Sequence, residues 1–146
     1  MSFQIKVEGQ EEIKAALIKF GKKMEDELQQ ATLEGAEIVK GHVVSNISSQ
    51  YKDKTGHLKS AVKVKGMPRN ASYPIVSICA MDQKIAPHAH LGEYGTVPRF
   101  RKSGGTTGQM PARPFFRPAE EQSRSEVNSL ITERVAEATA RFEGAK

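Results

Sequence analysis

A chain of 146 residues with 38% apolar and 27% charged side chains has material for one hydrophobic core but not for two cores and a linker, so a single domain over 1–146 is expected. The net charge is +5, no apolar run approaches the roughly 18 residues of a spanning helix, and acidic residues come too early for a secretory signal. A soluble protein of the cytoplasm without membrane contact is expected, and the one cysteine, Cys79, excludes an internal disulfide and a cysteine-based zinc site.

Phe3, Ile5 and Val7 alternate with Gln4, Lys6 and Glu8, the period of a strand with one buried face. Gly9 then caps a helix in which Glu12 reaches back to the free amides and Ile13, Ala16, Leu17 and Phe20 form one stripe, with Gly21 as its end. A second helix starts near Met24, with Glu25, Asp26 and Glu27 in its first turn, and runs to about Ile47. Met24, Leu28, Ala31, Gly35, Ile38, Val39 and His42 share one face, while Leu33, Ala36, Val44 and Ile47 lie nearly opposite. Burial on both sides calls for a second cover, either a neighbouring subunit or the C-terminal helix of the same chain.

Ser45 to Thr55 is polar and reads as a connection. Leu58 to Lys65 reads as a strand with Lys63 and Lys65 on its outer face, residues 66–72 as a turn, Tyr73 to Ala80 as the antiparallel return, and His90 to Tyr94 as a further short strand. From Val97 to Gln109 the chain is glycine-rich and cationic with little to bury except Phe100, which predicts a flexible loop over about 97–110. Pro118 is placed as the first residue of a last helix, with Glu120 and Glu121 in its first turn and Val127, Leu130, Ile131, Val135, Ala138 and Phe142 on one stripe. The order predicts an α+β fold: an antiparallel sheet of about four strands packed against a long N-terminal helix and a C-terminal amphipathic helix.

Charge is segregated along the chain. Lys52, Lys54, Lys59, Lys63, Lys65 and Arg69 stand against Asp53 alone within 52–69, and Arg99, Arg101, Lys102, Arg113 and Arg117 have no acid among them within 97–117. Residues 1–51 and 118–146 are each slightly acidic. Such a layout fits a protein whose acidic ends meet a neighbour's basic middle, and it fits non-sequence-specific DNA binding through 52–69 and 97–117. With 6% aromatics, no tryptophan and no helix carrying the cations, base stacking and major-groove reading are poorly supported.

Catalysis has no candidate. His88 and His90 on a strand would face the same way, but Glu93 would face the other, and His42 or His57 would have to come from afar, so surface histidines are the better reading. The 104–108 glycine run lacks the Lys-Ser/Thr of a phosphate loop, and Cys79 has no partner in sequence to make it a thiolate. No enzyme activity, metal or cofactor is expected.

Two stretches carry a resemblance. Thr55-Gly56-His57-Leu58-Lys59-Ser60-Ala61-Val62 resembles the TG-x-L-x-x-S-I pattern of head-to-tail joining proteins of long-tailed bacteriophages, the neck and tail-component proteins of siphophages and prophages. Glu93-Tyr94-Gly95-Thr96, then Pro111-Ala112-Arg113-Pro114-Phe115-Phe116-Arg117-Pro118-Ala119, resembles that family's E-x-G-T followed by P-A-R-P-F-x-R-P-A. Ala61 stands where the family usually has Ser, and 97–109 is longer and more basic than its usual loop. The resemblance implies a virion protein assembled in the bacterial host, a ring at the neck between portal or head-closure proteins and the tail terminator or tail tube, around the passage for genomic DNA.

The motif residues make physical sense as a brace for a projecting arm. Glu93 and Arg113 are expected to pair across the ends of the loop, and Gly95 to permit a turn closed to other residues. Pro111, Pro114 and Pro118 stiffen the return path and hold Phe115 and Phe116 against the sheet or a neighbour. The expected assembly residues are Glu93, Tyr94, Gly95, Thr96, Arg99, Phe100, Arg101, Lys102, Pro111, Arg113, Pro114, Phe115, Phe116 and Arg117.

Overall fold

The computed structural model describes residues 10–67 and 75–144. The strand expected at 3–7, the Gly9 cap and most of the turn at 66–72 lie outside the described residues. One helix, α1 (Gln10–Gln50), replaces the two expected ones. Gly21 does not break it, because an interior glycine costs only about 1 kcal/mol and the flanking Ala, Leu, Lys and Glu favour helix, with no proline from Gln10 to Gln50. Across this point the rings of Phe20 and Phe142 meet at 4.0 Å between centroids. Polar Ser45–Gln50, expected as a connection, forms the last turns of α1.

A short turn, α2 (His57–Ser60), follows Gly56 and leads into β1 (Val62–Gly66), which pairs antiparallel with β2 (Ser77–Met81) in the register Val64 to Cys79. The strand pair is thus shorter than expected, since the first residues after the 51–56 connection coil instead of extending. Lys63 and Lys65 occupy the exposed face, as the alternation required. The strand expected at His90–Tyr94 is a helix, α3 (Ala89–Tyr94). None of His90, Leu91, Gly92, Glu93 and Tyr94 is β-branched, and Tyr94 alone favours extension there. The expected loop carries a small hairpin, β3 (Arg99–Phe100) with β4 (Thr106–Gly108). The fold is therefore α+β, and among the described residues the strands form two separate two-stranded sheets where one sheet of about four was expected.

The last helix, α4 (Phe116–Glu143), begins two residues before Pro118, which sits inside the first turn. It runs antiparallel to α1: Asn46 bonds the Phe115 carbonyl near one end, and Glu27 meets Arg141 at the other. Its most buried residues are the small ones, Ala119, Ser123 and Ala138, while Val127, Leu130 and Ile131 are half-buried. Facing them on α1 are Ala31 and Gly35, and a Cβ on Gly35 would come within 3.1 Å of Val127 Cγ1. Small residues on both helices let the backbones approach closely, and Glu34 and Arg134 pair at 2.7 Å across the seam.

The two-sided apolar character of α1 is explained within the chain: α4 covers one side and the β1–β2 sheet the other, giving three layers with α1 in the middle. The core lies toward the C-terminal end of α1, where Val43 and Ile47 meet Val62, Ala89, Phe115 and Ala119. Toward the other end Leu17 and Ile18 are exposed. Among the described residues no helix is long and apolar enough to cross a membrane.

Candidate functional site

The arm begins where α3 ends. Gly95, at φ 74° and ψ −173°, holds a backbone conformation that only glycine adopts readily, and a Cβ there would lie 2.8 Å from the Ala112 nitrogen. The outgoing and returning strands are stitched at this root: Thr96 N–H donates to the Met110 carbonyl at 2.9 Å, and Met110 N–H to Thr96 Oγ1 at 2.9 Å. Beyond the root, β3 and β4 are joined by a turn in which Gly104 N–H donates to the Arg101 carbonyl at 2.9 Å. Gly104 has φ 87°, matching a three-residue hairpin loop with a glycine bulge. Threonines finish the hairpin, Thr106 and Thr107 both donating to the Arg99 carbonyl.

Every residue from Val97 to Arg113 is exposed. Val97 is 77% and Phe100 70% exposed, and Tyr94 at the base is 72% exposed. Arg99, Arg101 and Lys102 surround them, and among the described residues no acid pairs with any of the three. Apolar side chains and unpaired cations standing in water on an ordered hairpin are what a docking surface looks like before it is covered.

The brace differs from the expected Glu93–Arg113 pair. The Glu93 carboxylate instead accepts three consecutive backbone amides: Phe115 at 2.8 Å and Phe116 at 3.0 Å on Oε2, and Arg117 at 3.2 Å on Oε1. The next residue is Pro118, which has no N–H. The four donors that a helix start leaves open are therefore all accounted for, by one carboxylate and one proline. Negative charge at this position also complements the α4 dipole. Arg113 turns elsewhere, its guanidinium donating to the Gln50 carbonyl at 3.4 Å and its N–H to the Gly92 carbonyl at 2.8 Å.

Three residues absent from the expected set complete the clamp. The Tyr51 hydroxyl donates to the Arg113 carbonyl at 2.8 Å, Gln50 Nε2 to Pro114 O at 2.9 Å, and Asn46 Nδ2 to Phe115 O at 3.1 Å. The end of α1 and Tyr51 just after it thus grip three successive carbonyls while Glu93 of α3 grips three successive amides. Burial raises the Tyr51 phenol above its ordinary pKa, with Arg113 opposing and Glu93 adding to the rise. The sequence signal for this clamp was the i, i+4 spacing of Asn46 and Gln50, hidden by reading the polar stretch as a connection.

Of the expected assembly residues, Tyr94, Arg99, Phe100, Arg101, Lys102, Pro111, Arg113 and Arg117 are exposed, and Glu93, Gly95, Thr96 and Pro114 form the root. Phe115 is 1% exposed and belongs to the monomer core, edge-on to Tyr51 at 5.8 Å between centroids, with Phe116 beside it. His88 and His90 do not share a strand face; His88 precedes α3 and His90 lies within it, its Nδ1 3.1 Å from the Pro87 carbonyl. Among the described residues no three His, Cys, Asp or Glu gather as metal ligands.

No curated protein and no solved structure matches the chain significantly. A family model does, over residues 11–95, which is more than half of the chain and runs from α1 to Gly95 at the foot of the arm. The chain therefore belongs to the family described as Bacteriophage HK97-gp10, putative tail-component, and is a bacteriophage structural protein of the tail-component kind.

Proposed function

We propose that this protein acts at the head–tail junction, assembling as a ring between the portal or head-closure proteins and the tail terminator or tail tube, with genomic DNA passing through the ring. The observation that carries the reading is the arm: a hairpin exposed over its whole length, bearing Val97, Phe100 and three cations with no acid partner among the described residues, yet fixed at its root by Glu93, Gly95 and the end of α1. A rigid root under an uncovered tip supports a role in docking, because a preorganised segment loses little entropy when it binds. A closed ring needs a heterologous contact, and the acidic helices offer a surface of opposite sign for the arm of the next copy. No reaction is involved. Removal of residues 99–108 should leave a folded monomer and abolish infectious particles; infectious particles from that deletion would end the reading.

The cations also support a second reading as a DNA-contacting module. Lys63 and Lys65 stand on the outer face of β1 and, like the arm cations, lack an acid partner among the described residues. Retention on duplex DNA that falls steeply with salt would favour it, and no retention at low salt would remove it.

A further inference from the structure

Strand β2 has an open edge, and the ladder geometry identifies the groups on it. Met67 N–H donates to the Val76 carbonyl at 2.9 Å and Asp82 N–H to the Ala61 carbonyl at 2.7 Å. Both are hydrogen-bonded pairs, so the antiparallel alternation makes Lys65–Ile78 and Lys63–Ala80 hydrogen-bonded pairs as well. The N–H and C=O of Ser77 and Cys79 therefore point away from β1. Among the described residues β2 pairs with β1 alone. Ser77 and Cys79 form one wall of a groove of about 650 Å³, with Ala36 and Val39 of α1 on its floor and Val127 and Ile131 of α4 opposite. A groove with open backbone groups along one wall and apolar side chains beneath fits an extended segment with every second side chain apolar.

The chain has one such segment outside the described residues: Phe3, Ile5 and Val7, alternating with Gln4 and Lys6. It cannot reach the groove of its own molecule. Ser77 Oγ lies 2.9 Å from Thr32 Oγ1, so β2 starts beside Thr32, which is about 33 Å up α1 from Gln10 at 1.5 Å per residue. From Gln10 back to Ile5 even a fully extended chain covers only about 17 Å.

We propose that residues 3–7 of one copy add as a third strand to the free edge of β2 in a second copy, Phe3, Ile5 and Val7 entering the groove and Gln4 and Lys6 facing out. Donor and acceptor surfaces differ, so the contact runs head to tail and can close into a ring. The inference rests on the assembly reading above and names a contact independent of the arm.

Cys79, the only cysteine, lines the groove and provides the probe. Particles assembled with Ile5→Cys, treated with a short bismaleimide, should give covalent dimers and a ladder above them, and the same variant carrying Cys79→Ser should give none. Product confined to the monomer mass, no product, or an adduct to a different virion protein would overturn the proposal. Ile5→Asp with Val7→Asp should keep the thermal midpoint of the purified wild type and lose infectious titre; a wild-type titre would also overturn it. The deletion of 99–108 separates the two ideas. If that deletion blocks infection while position 5 gives no interchain product, the arm reading stands and the strand proposal falls; if position 5 crosslinks between copies and the deletion remains infectious, the reverse holds.

Discussion

Glu93 Oε2 lies 2.8 Å from the amide nitrogen of Phe115, and the contact ties the element before the arm to the residue that opens α4 after it. One carboxylate takes three amides at the start of α4, so its removal leaves three donors in want of an acceptor. Glu93→Ala should cost about 2 kcal/mol of stability, the scale of losing a charged helix cap, and Glu93→Gln should recover part of it by keeping one acceptor oxygen. Urea unfolding of the two variants checks the order. Equal stability of Glu93→Ala and wild type would remove the carboxylate from the brace.

Gly95 makes the second fixed point of the root. Its φ of 74° and the approach of the Ala112 nitrogen leave no room for a side chain. Gly95→Ala should destabilise by about 1–3 kcal/mol through backbone strain and shift the returning strand. Hydrogen exchange at the Thr96 and Met110 amides should accelerate more than exchange in the middle of α1, because the strain falls on the bonds those amides make.

Tyr51 connects the root to pH. Burial raises its phenol pKa in the folded protein, so the neutral, donating form is favoured there. The resulting stability is fully present below the unfolded value of about 10 and is lost as pH rises through the higher folded value. Tyr51→Phe should be less stable than wild type at neutral pH by about 1 kcal/mol, the net worth of one hydrogen bond. That gap should close above the folded pKa, where the wild-type hydroxyl can no longer donate to the Arg113 carbonyl. A gap unchanged with pH would show that the hydroxyl contributes nothing through that bond.

Local pattern revealed what was local. Alternation placed Lys63 and Lys65 on the exposed face of β1, and the stripe of Val127, Leu130, Ile131, Ala138 and Phe142 marked the packed side of α4, although Val135 of the same stripe is exposed. What pattern missed depended on distant partners. Gly21 looks like a terminator until Phe142 is seen to meet Phe20 across it, and Glu93 looks like a partner for the nearest arginine until α4 presents three amides. Asn46, Gln50 and Tyr51 had no apolar period to draw notice, since their work is to hold carbonyls more than sixty residues away. The arm was visible as cationic and glycine-rich, but its order comes from Thr96, Thr106 and Thr107 closing bonds that no composition reveals.

The aromatic residues on either side of the root should separate stability from assembly. Phe115 is fully buried among Val43, Ile47 and Val62, so Phe115→Ala should cost about 3–5 kcal/mol by loss of buried area and the cavity left behind. Phe100 is 70% exposed on the hairpin and meets no other ring among the described residues, so Phe100→Ser should change monomer stability by no more than about 0.5 kcal/mol. If the arm docks in the virion, the ranking inverts in particles: Phe100→Ser, with Arg99→Glu and Arg101→Glu added, should give protein that melts like wild type but yields few infectious particles. Thermal unfolding of the purified variants beside titres from complemented infections reads both effects. A stable arm variant with full titre would show that the exposed ring and its cations meet no partner.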